Sequence, residues 1–231
     1  MANTGQFTGC SISTHLCKCF DKLTKEEQNL VDANSVTIHF KKGEIICKQG
    51  AFASHVLYMQ QGLAKVFIDD GSNMLVLKII PDANFLGLAS VSEENTTYRY
   101  SSMAYIDSII KQIDINIFRT LLTQNPGFAK EVIDILSTNS TQIYGRFFCL
   151  THKQSYGRMA DILLCLADRI FKSNEFDLPL SRKDLAELTG MSPETVIRLL
   201  KKFREEGMIT IEGKAFKILD YQRLVRISET G

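Results

Sequence analysis

The chain has 231 residues, a formal net charge of +1, 45% hydrophobic and 23% charged residues, and six cysteines. That length accommodates two domains of ordinary size, and the composition is ordinary for a soluble globular protein with a sizeable core. No apolar run approaches the roughly 18 residues of a membrane span, and a charge so near zero means that any nucleic-acid-binding surface must be local.

The N-terminus, Met1-Ala2-Asn3-Thr4-Gly5-Gln6-Phe7, lacks the basic and apolar regions of a signal peptide. The expectation is a cytoplasmic chain. In that compartment cysteines are more often free, metal-bound or redox-active than paired in disulfides. A short cysteine-bearing tail reaches to about residue 21, and Thr24-Lys25-Glu26-Glu27 reads as a capping box opening a helix through Leu30. From Val36 to about Asp114, short apolar runs alternate with turn residues. Ile38-His39-Phe40, Ile45-Ile46-Cys47, Val56-Leu57-Tyr58-Met59, Ala64–Ile68 and Leu75–Ile80 are separated by Gly43, Gly50, Gly62 and Gly71. Short strands at this spacing predict an antiparallel sandwich or barrel.

From residue 126 to 150 the period becomes helical. Leu136, Ile143 and Leu150 stand seven apart, with Val132 and Phe147 on adjacent positions and Asn139 and Arg146 on the other seam position. The spacing fits a heptad-like seam between two chains, and equally a helix lying on its own domain's sheet. The polar run Thr151–Tyr156 then reads as a hinge. Periodicity resumes through Met159, Ile162, Leu163, Leu166 and Ile170, and Cys149 and Cys165 fall on apolar helical patterns as small core residues.

The densest local signals lie between residues 180 and 219. Ser181 with Asp184 caps a helix that carries Leu185, Ala186 and Leu188, and Gly190 ends it. Ser192 caps a second helix with Pro193 in its first position, where the missing N–H is not needed. Val196, Leu199, Leu200 and Phe203 give that helix a buried face. Its other face offers Glu194, Thr195, Ile197 and Arg198, then Lys201, Lys202 and Arg204, as a recognition helix requires: short polar groups for base edges and cations for phosphates. Glu194 and Arg198 share a face. They could form an ordinary i,i+4 ion pair, or Glu194 could accept from cytosine while Arg198 donates to guanine. Residues Gly207–Leu219 give two short strands around Gly213, a wing whose Lys214 and Lys217 could approach a nucleic-acid backbone.

These features together resemble the CRP/FNR superfamily of bacterial regulators: Phe40-Lys41-Lys42-Gly43-Glu44, Gln49-Gly50, a long helix, and Glu194-Thr195-Val196 with Arg198 and Gly213-Lys214. The resemblance implies an α+β chain. A tail (1–21) would precede a β-roll of cyclic-nucleotide-binding-like jelly-roll type (22–125), then a dimerisation helix (126–151) and a winged helix-turn-helix (152–231). It turns Val132, Leu136, Ile143, Phe147 and Leu150 into a homodimer seam. It assigns DNA contacts to Arg182, Ser192, Glu194, Thr195, Ile197, Arg198, Lys201, Lys202 and Lys214, and it adds RNA polymerase as a partner.

The effector stays open. Cyclic-nucleotide binders of the family carry Gly-Glu and, about ten residues on, Arg-Ser or Arg-Thr. Here Gly87 is followed by Leu88, and the later pair falls on Tyr98-Arg99, so cyclic AMP is not expected. The oxygen-sensing branch holds an iron–sulfur cluster on tail cysteines and one in the roll. Cys10, Cys17 and Cys19 resemble that tail, but Phe7 and Lys111 occupy two expected cysteine positions, and His15 or Cys47 would have to complete the set. A thiol switch, or a tail that senses nothing, are the alternatives. A regulatory module acting on a protein partner would leave the winged helix unexplained. An enzyme finds no nucleophile–base pair, no phosphate-cradling loop and no His-rich metal motif.

Overall fold

The computed structural model describes residues 18–231. Helix α1, Lys25–Ala33, opens on its capping box: Glu27 N–H donates to the Thr24 hydroxyl at 3.2 Å, and Thr24 N–H to the Glu27 carboxylate at 2.8 Å. Eight strands follow: β1 (Ser35–Phe40), β2 (Ile45–Cys47), β3 (His55–Gln61), β4 (Ala64–Asp69), β5 (Met74–Ile80), β6 (Asn84–Leu86), β7 (Ser101–Ala104) and β8 (Ser108–Asp114). They make two four-stranded antiparallel sheets, ordered β1-β8-β3-β6 and β2-β7-β4-β5. Leu57, Met59, Leu86 and Ile110 of the first sheet meet Ala64, Val66, Ile80 and Ala104 of the second. Each fully buried aliphatic side chain is worth about 1.5–3 kcal/mol, so this interior holds the roll together.

Two details set the geometry. Gly62, between β3 and β4, has φ +129°, and a Cβ there would lie 2.2 Å from Ser108 Oγ, so only glycine fits. Val66 pairs with Ser102 on β7 and with Lys78 on β5. A bulge then shifts the β4–β5 register so that Phe67 faces Val76.

Asp114 accepts the Asn116 and Ile117 N–H groups and caps α2, Ile115–Gln124. Helix α3 runs from Pro126 to His152. Its first turns carry Phe128, Val132 and Ile135 into a second apolar cluster with Phe85 and Phe118. There Phe118 meets Phe85 and Phe128 edge-on at centroid distances of 5.5 and 5.2 Å. One compact unit ends at Ser140 and another spans Thr141–Gly231, so the boundary falls inside α3 rather than at residues 151–152.

The second unit contains α4 (Ser155–Cys165), a wider helical turn (Leu166–Phe171), β9 (Glu175–Asp177), α5 (Arg182–Thr189), α6 (Pro193–Glu205), β10 (Ile209–Glu212), β11 (Ala215–Ile218) and α7 (Tyr221–Thr230). Its sheet is ordered β10-β11-β9. The expected hinge is a two-residue break between α3 and α4, and it is held by side chains. Lys153 Nζ reaches Asp161 Oδ2 at 2.7 Å, and Arg158 donates to Lys153 O at 2.8 Å and to Thr189 O at 2.9 Å. Cys149, 2% exposed, donates to Asp161 at 3.4 Å, and burial, then the Asp161 carboxylate, pushes its thiol up to about 11. Cys149 is a free, buried core thiol, as expected, whereas Cys165, also buried, is disulfide-bonded. No helix among the described residues is long and apolar enough to cross a membrane.

Candidate nucleic-acid interface

Local chemistry builds the two-helix motif. Ser181 and Asp184 form a reciprocal box at the start of α5, and Gly190 closes that helix at φ +62°, a conformation that favours glycine. Met191 N–H returns to Ala186 O at 3.0 Å. Ser192 Oγ then accepts the Thr195 N–H at 3.2 Å and starts α6, with Pro193 as its first residue. Val196, Leu199, Leu200 and Phe203 are buried beneath. Their burial fixes the opposite face outward.

On that outward face Glu194, Ile197, Arg198 and Lys201 are exposed. Glu194 and Arg198 do not form the i,i+4 pair that their spacing permits, and among the described residues Arg198 has no hydrogen bond or ion pair. Hydrogen bonding to its own backbone N–H, then to Ser192, holds the Glu194 carboxyl below its ordinary range, so the group is an acceptor. Thr195 sits half-buried behind Ser192, whose hydroxyl reaches its Oγ1 at 3.2 Å.

The cations differ in commitment. Lys201 lies 3.7 Å from Glu205, an exposed pair worth little in solution. Lys202 is more engaged, 4.5 Å above the Tyr156 ring and 3.8 Å from Glu206. Lys214 stands exposed at the tip of the wing, whereas Lys217 is bound to Glu175 at 2.8 Å on the neighbouring strand.

Two grooves flank α6. One, of about 380 Å³, runs between α6 and the wing and is lined by Arg182, Ile197, Leu200, Lys201, Arg204, Ile211 and Gly213. Three cations and no carboxylate face it. The other, about 640 Å³, joins Arg198 and Lys202 to Gln154, Ser155, Tyr156 and Arg158 at the start of α4. The sequence pattern missed the α4 side altogether, because nothing in the chain announces that its first turn lies beside α6.

The dimer seam requires correction. Val132 is 3% exposed and packs into the roll's own cluster, so it belongs to the core. Leu150 is half-buried, with its Cδ2 3.2 Å from where a Cβ on Gly190 would stand. Asn139 is bonded to Lys78 and Arg146 is buried, so neither is a free register-setting group. The open apolar stripe is displaced around α3: Ile133, Leu136, Ile143, Tyr144, Phe147 and Phe148 are 39–68% exposed.

The cysteine readings also change. Cys10, Cys17 and His15 lie outside the described residues. Cys19 is fully buried in the apolar cluster with Leu23, Phe85 and Phe118. Cys47 is enclosed too, and burial pushes its thiol up to about 12. No group of three His, Cys, Asp or Glu side chains among the described residues could hold a metal ion. The side chains at the positions expected to bear a cyclic nucleotide are otherwise engaged. Leu88 is buried among apolar residues, Tyr98 donates to His55 O at 2.8 Å, and exposed Arg99 is bound to Asn95.

A β-roll followed by a long helix and a winged helix-turn-helix defines a DNA-binding transcription regulator, a class without enzymatic chemistry. Residues 37–125 match the cyclic nucleotide-binding domain family, and residues 157–227 match the Crp-like helix-turn-helix domain. The chain is 26% identical over 185 residues to the transcriptional activator protein FnrA of Stutzerimonas stutzeri, covering 78% of this chain and 75% of that one. It is 24% identical over 228 residues to electron transport regulator A of Shewanella oneidensis, covering 94% and 90%. In fold it is similar to FixK2 of Bradyrhizobium japonicum, with a TM-score of 0.77 at 18% identity over 85% of this chain and 98% of that one. The chain belongs to the CRP/FNR superfamily.

Proposed function

We propose that the protein is an effector- or redox-responsive homodimer that binds an inverted repeat, each α6 reading one half-site in the major groove. The observation that carries the reading is the outward Glu194–Arg198 face, on which the two side chains do not pair with each other. Two exposed charged groups one helical turn apart, not joined in an ion pair, match the acceptor and donors needed for a G·C pair. Ile197, 53% exposed and without a donor, fits a thymine methyl. Resemblance to relatives with Glu and Arg at these positions supports TGA or TTGA half-sites, and Pro193 stands where cyclic-AMP-type relatives carry an arginine. Arg182, Lys201, Arg204 and Lys214 follow the phosphates from the carboxylate-free groove and the wing tip. The open stripe on α3 is the proposed dimer surface, RNA polymerase the proposed protein partner, and the cytoplasm the proposed location.

The test is a binding titration on the palindrome and on a version with its G·C pair swapped, at two salt concentrations. Arg198→Ala is expected to cost about 1–3 kcal/mol on the cognate duplex and to erase the preference between the two. Lys201→Ala is expected to weaken both alike and to reduce the salt slope by about one. Equal weakening of both duplexes by Arg198→Ala would make Arg198 a phosphate clamp and remove its role in base reading.

A further inference from the structure

The last turn of α6 ends on a charge of the unfavourable sign. Glu206 caps the C-terminus of that helix, where the helix dipole disfavours a carboxylate. Its neighbours compensate. Arg223 of α7 donates to the carboxylate Oε2 at 2.7 Å and to the Glu206 backbone carbonyl at 3.1 Å. The Tyr156 hydroxyl, in the first turn of α4, donates to the same Oε2 at 3.1 Å. Lys202, one turn back on α6, stands 3.8 Å from the carboxylate. Helices α4, α6 and α7 thus meet at one side chain.

Tyr156 is the floor of that meeting point. Its ring packs on the fully buried Phe203 at a centroid distance of 4.6 Å and carries the Lys202 ammonium 4.5 Å above its own centre. Burial, then the hydrogen bond to Glu206, pushes the phenol up to about 12, so the hydroxyl stays a donor. These contacts are directional where the core beneath α6 is not. Val196, Leu199, Leu200 and Phe203 decide which face turns inward, but apolar burial has no angular preference of its own. Glu194, Arg198 and Lys202 follow one another at four-residue steps along α6, and Arg198 and Lys202 line the same groove. Base-edge hydrogen bonds need donor–acceptor distances of about 2.7–3.2 Å and side chains placed to about half an ångström, so a small rotation of α6 is felt at the readers.

We propose that Tyr156, Lys202, Glu206 and Arg223 form a clasp that sets the rotation of the recognition helix, with Tyr156 and Lys202 as positioning residues for base reading. The family resemblance counts Lys202 among the DNA contacts, and the clasp gives it a different role. Unlike Lys201, it holds its charge against a ring and a carboxylate of its own unit rather than offering it to a phosphate. Opening the clasp leaves the number of phosphate contacts unchanged but moves Glu194 and Arg198 off the base edges. Sequence preference falls and salt dependence does not. The inference rests on the proposed reading of α6 and adds to it the side chains that aim the helix.

Titrations of the full chain on the palindrome and on its G·C-swapped version test the clasp, at two salt concentrations and well below each variant's melting midpoint. Tyr156→Leu and Lys202→Ala are each expected to lower the cognate-to-swapped affinity ratio about fivefold while the salt slope stays unchanged. Lys201→Ala should do the opposite, lowering the slope and keeping the ratio. Conservative variants supply the rescue. Tyr156→Phe keeps the ring and Lys202→Arg keeps a cation above it, and each should restore most of the ratio. If Tyr156→Leu does not fold, Glu206→Gln opens the clasp from its other side with little change of shape, and the same loss is expected. The proposal is overturned if Lys202→Ala lowers the slope by about one, which makes Lys202 a phosphate contact. It is also overturned if the ratio survives Tyr156→Leu, or Glu206→Gln in its place. A wild type without preference between the duplexes removes the half-site reading instead. The slope of Lys202→Ala then still decides: a fall of about one sinks the clasp, and an unchanged slope keeps Lys202 off the phosphates.

Discussion

Glu194 and Arg198 illustrate how a functional side chain differs from a structural one of the same type. An i,i+4 Glu–Arg spacing ordinarily yields a surface ion pair, yet here the pair is not made, and both groups face outward. Lys202 is the contrast, being held by Tyr156 and Glu206. Lys78 shows the reverse case, a charge drawn inside. Its folded pKa, about 8, lies below its ordinary 10.5, so the unfolded chain binds the extra proton between those values. Stability therefore rises with pH from about 8 to 10.5, and below 8 the burial cost is fully present. Denaturant titrations at pH 7.5, 9 and 10.5 should show that rise in the wild type beyond any rise in Lys78→Met. A glycine marks the tightest point in the roll. Gly62→Ala drives a methyl group into Ser108 Oγ and Cα at an unfavourable φ, which should cost about 2–4 kcal/mol. The checking measurement is the urea midpoint at unchanged m-value; a loss under half a kcal/mol would mean that the turn relaxes freely.

At the scale of elements, legibility followed the range of the signal. The helix-turn-helix could be read closely because Ser181 with Asp184, Gly190, Ser192 and Pro193 act within three or four residues of themselves. The strands were legible from alternation. The register of α3 was not, because a heptad pattern reports which positions are apolar but not which apolar side the roll claims. Phe128, Val132 and Ile135 go to the roll, leaving Leu136, Ile143 and Phe147 outside with Ile133, Tyr144 and Phe148. Cys19 is ambiguous for a related reason: cysteine is both a ligand and a small buried apolar residue, and spacing cannot separate the two. Lys78 was hidden by the bulge between β4 and β5, which changes strand parity and leaves no mark in the sequence. The displaced stripe makes a double expectation. Ile143→Glu places a charge on the open face and should shift a dimer to monomer in sedimentation while the melting midpoint changes little. Val132→Ala removes core volume, costing about 1–3 kcal/mol, and should leave the oligomeric state unchanged. If instead Val132→Ala dissociates the dimer and Ile143→Glu does not, the seam is the one first read from the heptads.

For the whole molecule, the proposed operator follows from symmetry. Two identical readers related by a two-fold axis require two identical half-sites in inverted order, on the same side of the duplex, about one helical turn or roughly 34 Å apart. Neither recognition helix alone carries enough contacts for tight binding at physiological salt, so the second half-site acts through the local concentration that the dimer imposes. The sharpest measurement is geometric. Inserting about five base pairs between the half-sites turns one of them half a turn around the duplex, to the face opposite its reader. Affinity should then fall to that of a single half-site. Inserting about ten restores the facing but lengthens the span, and affinity should recover only as far as the spacing between the two readers can stretch. The pattern should be lost in Ile143→Glu, for which single and double half-sites should bind alike. Equal wild-type affinity for all three spacings would show that the chain binds as independent monomers, and the open α3 stripe would then need a different partner.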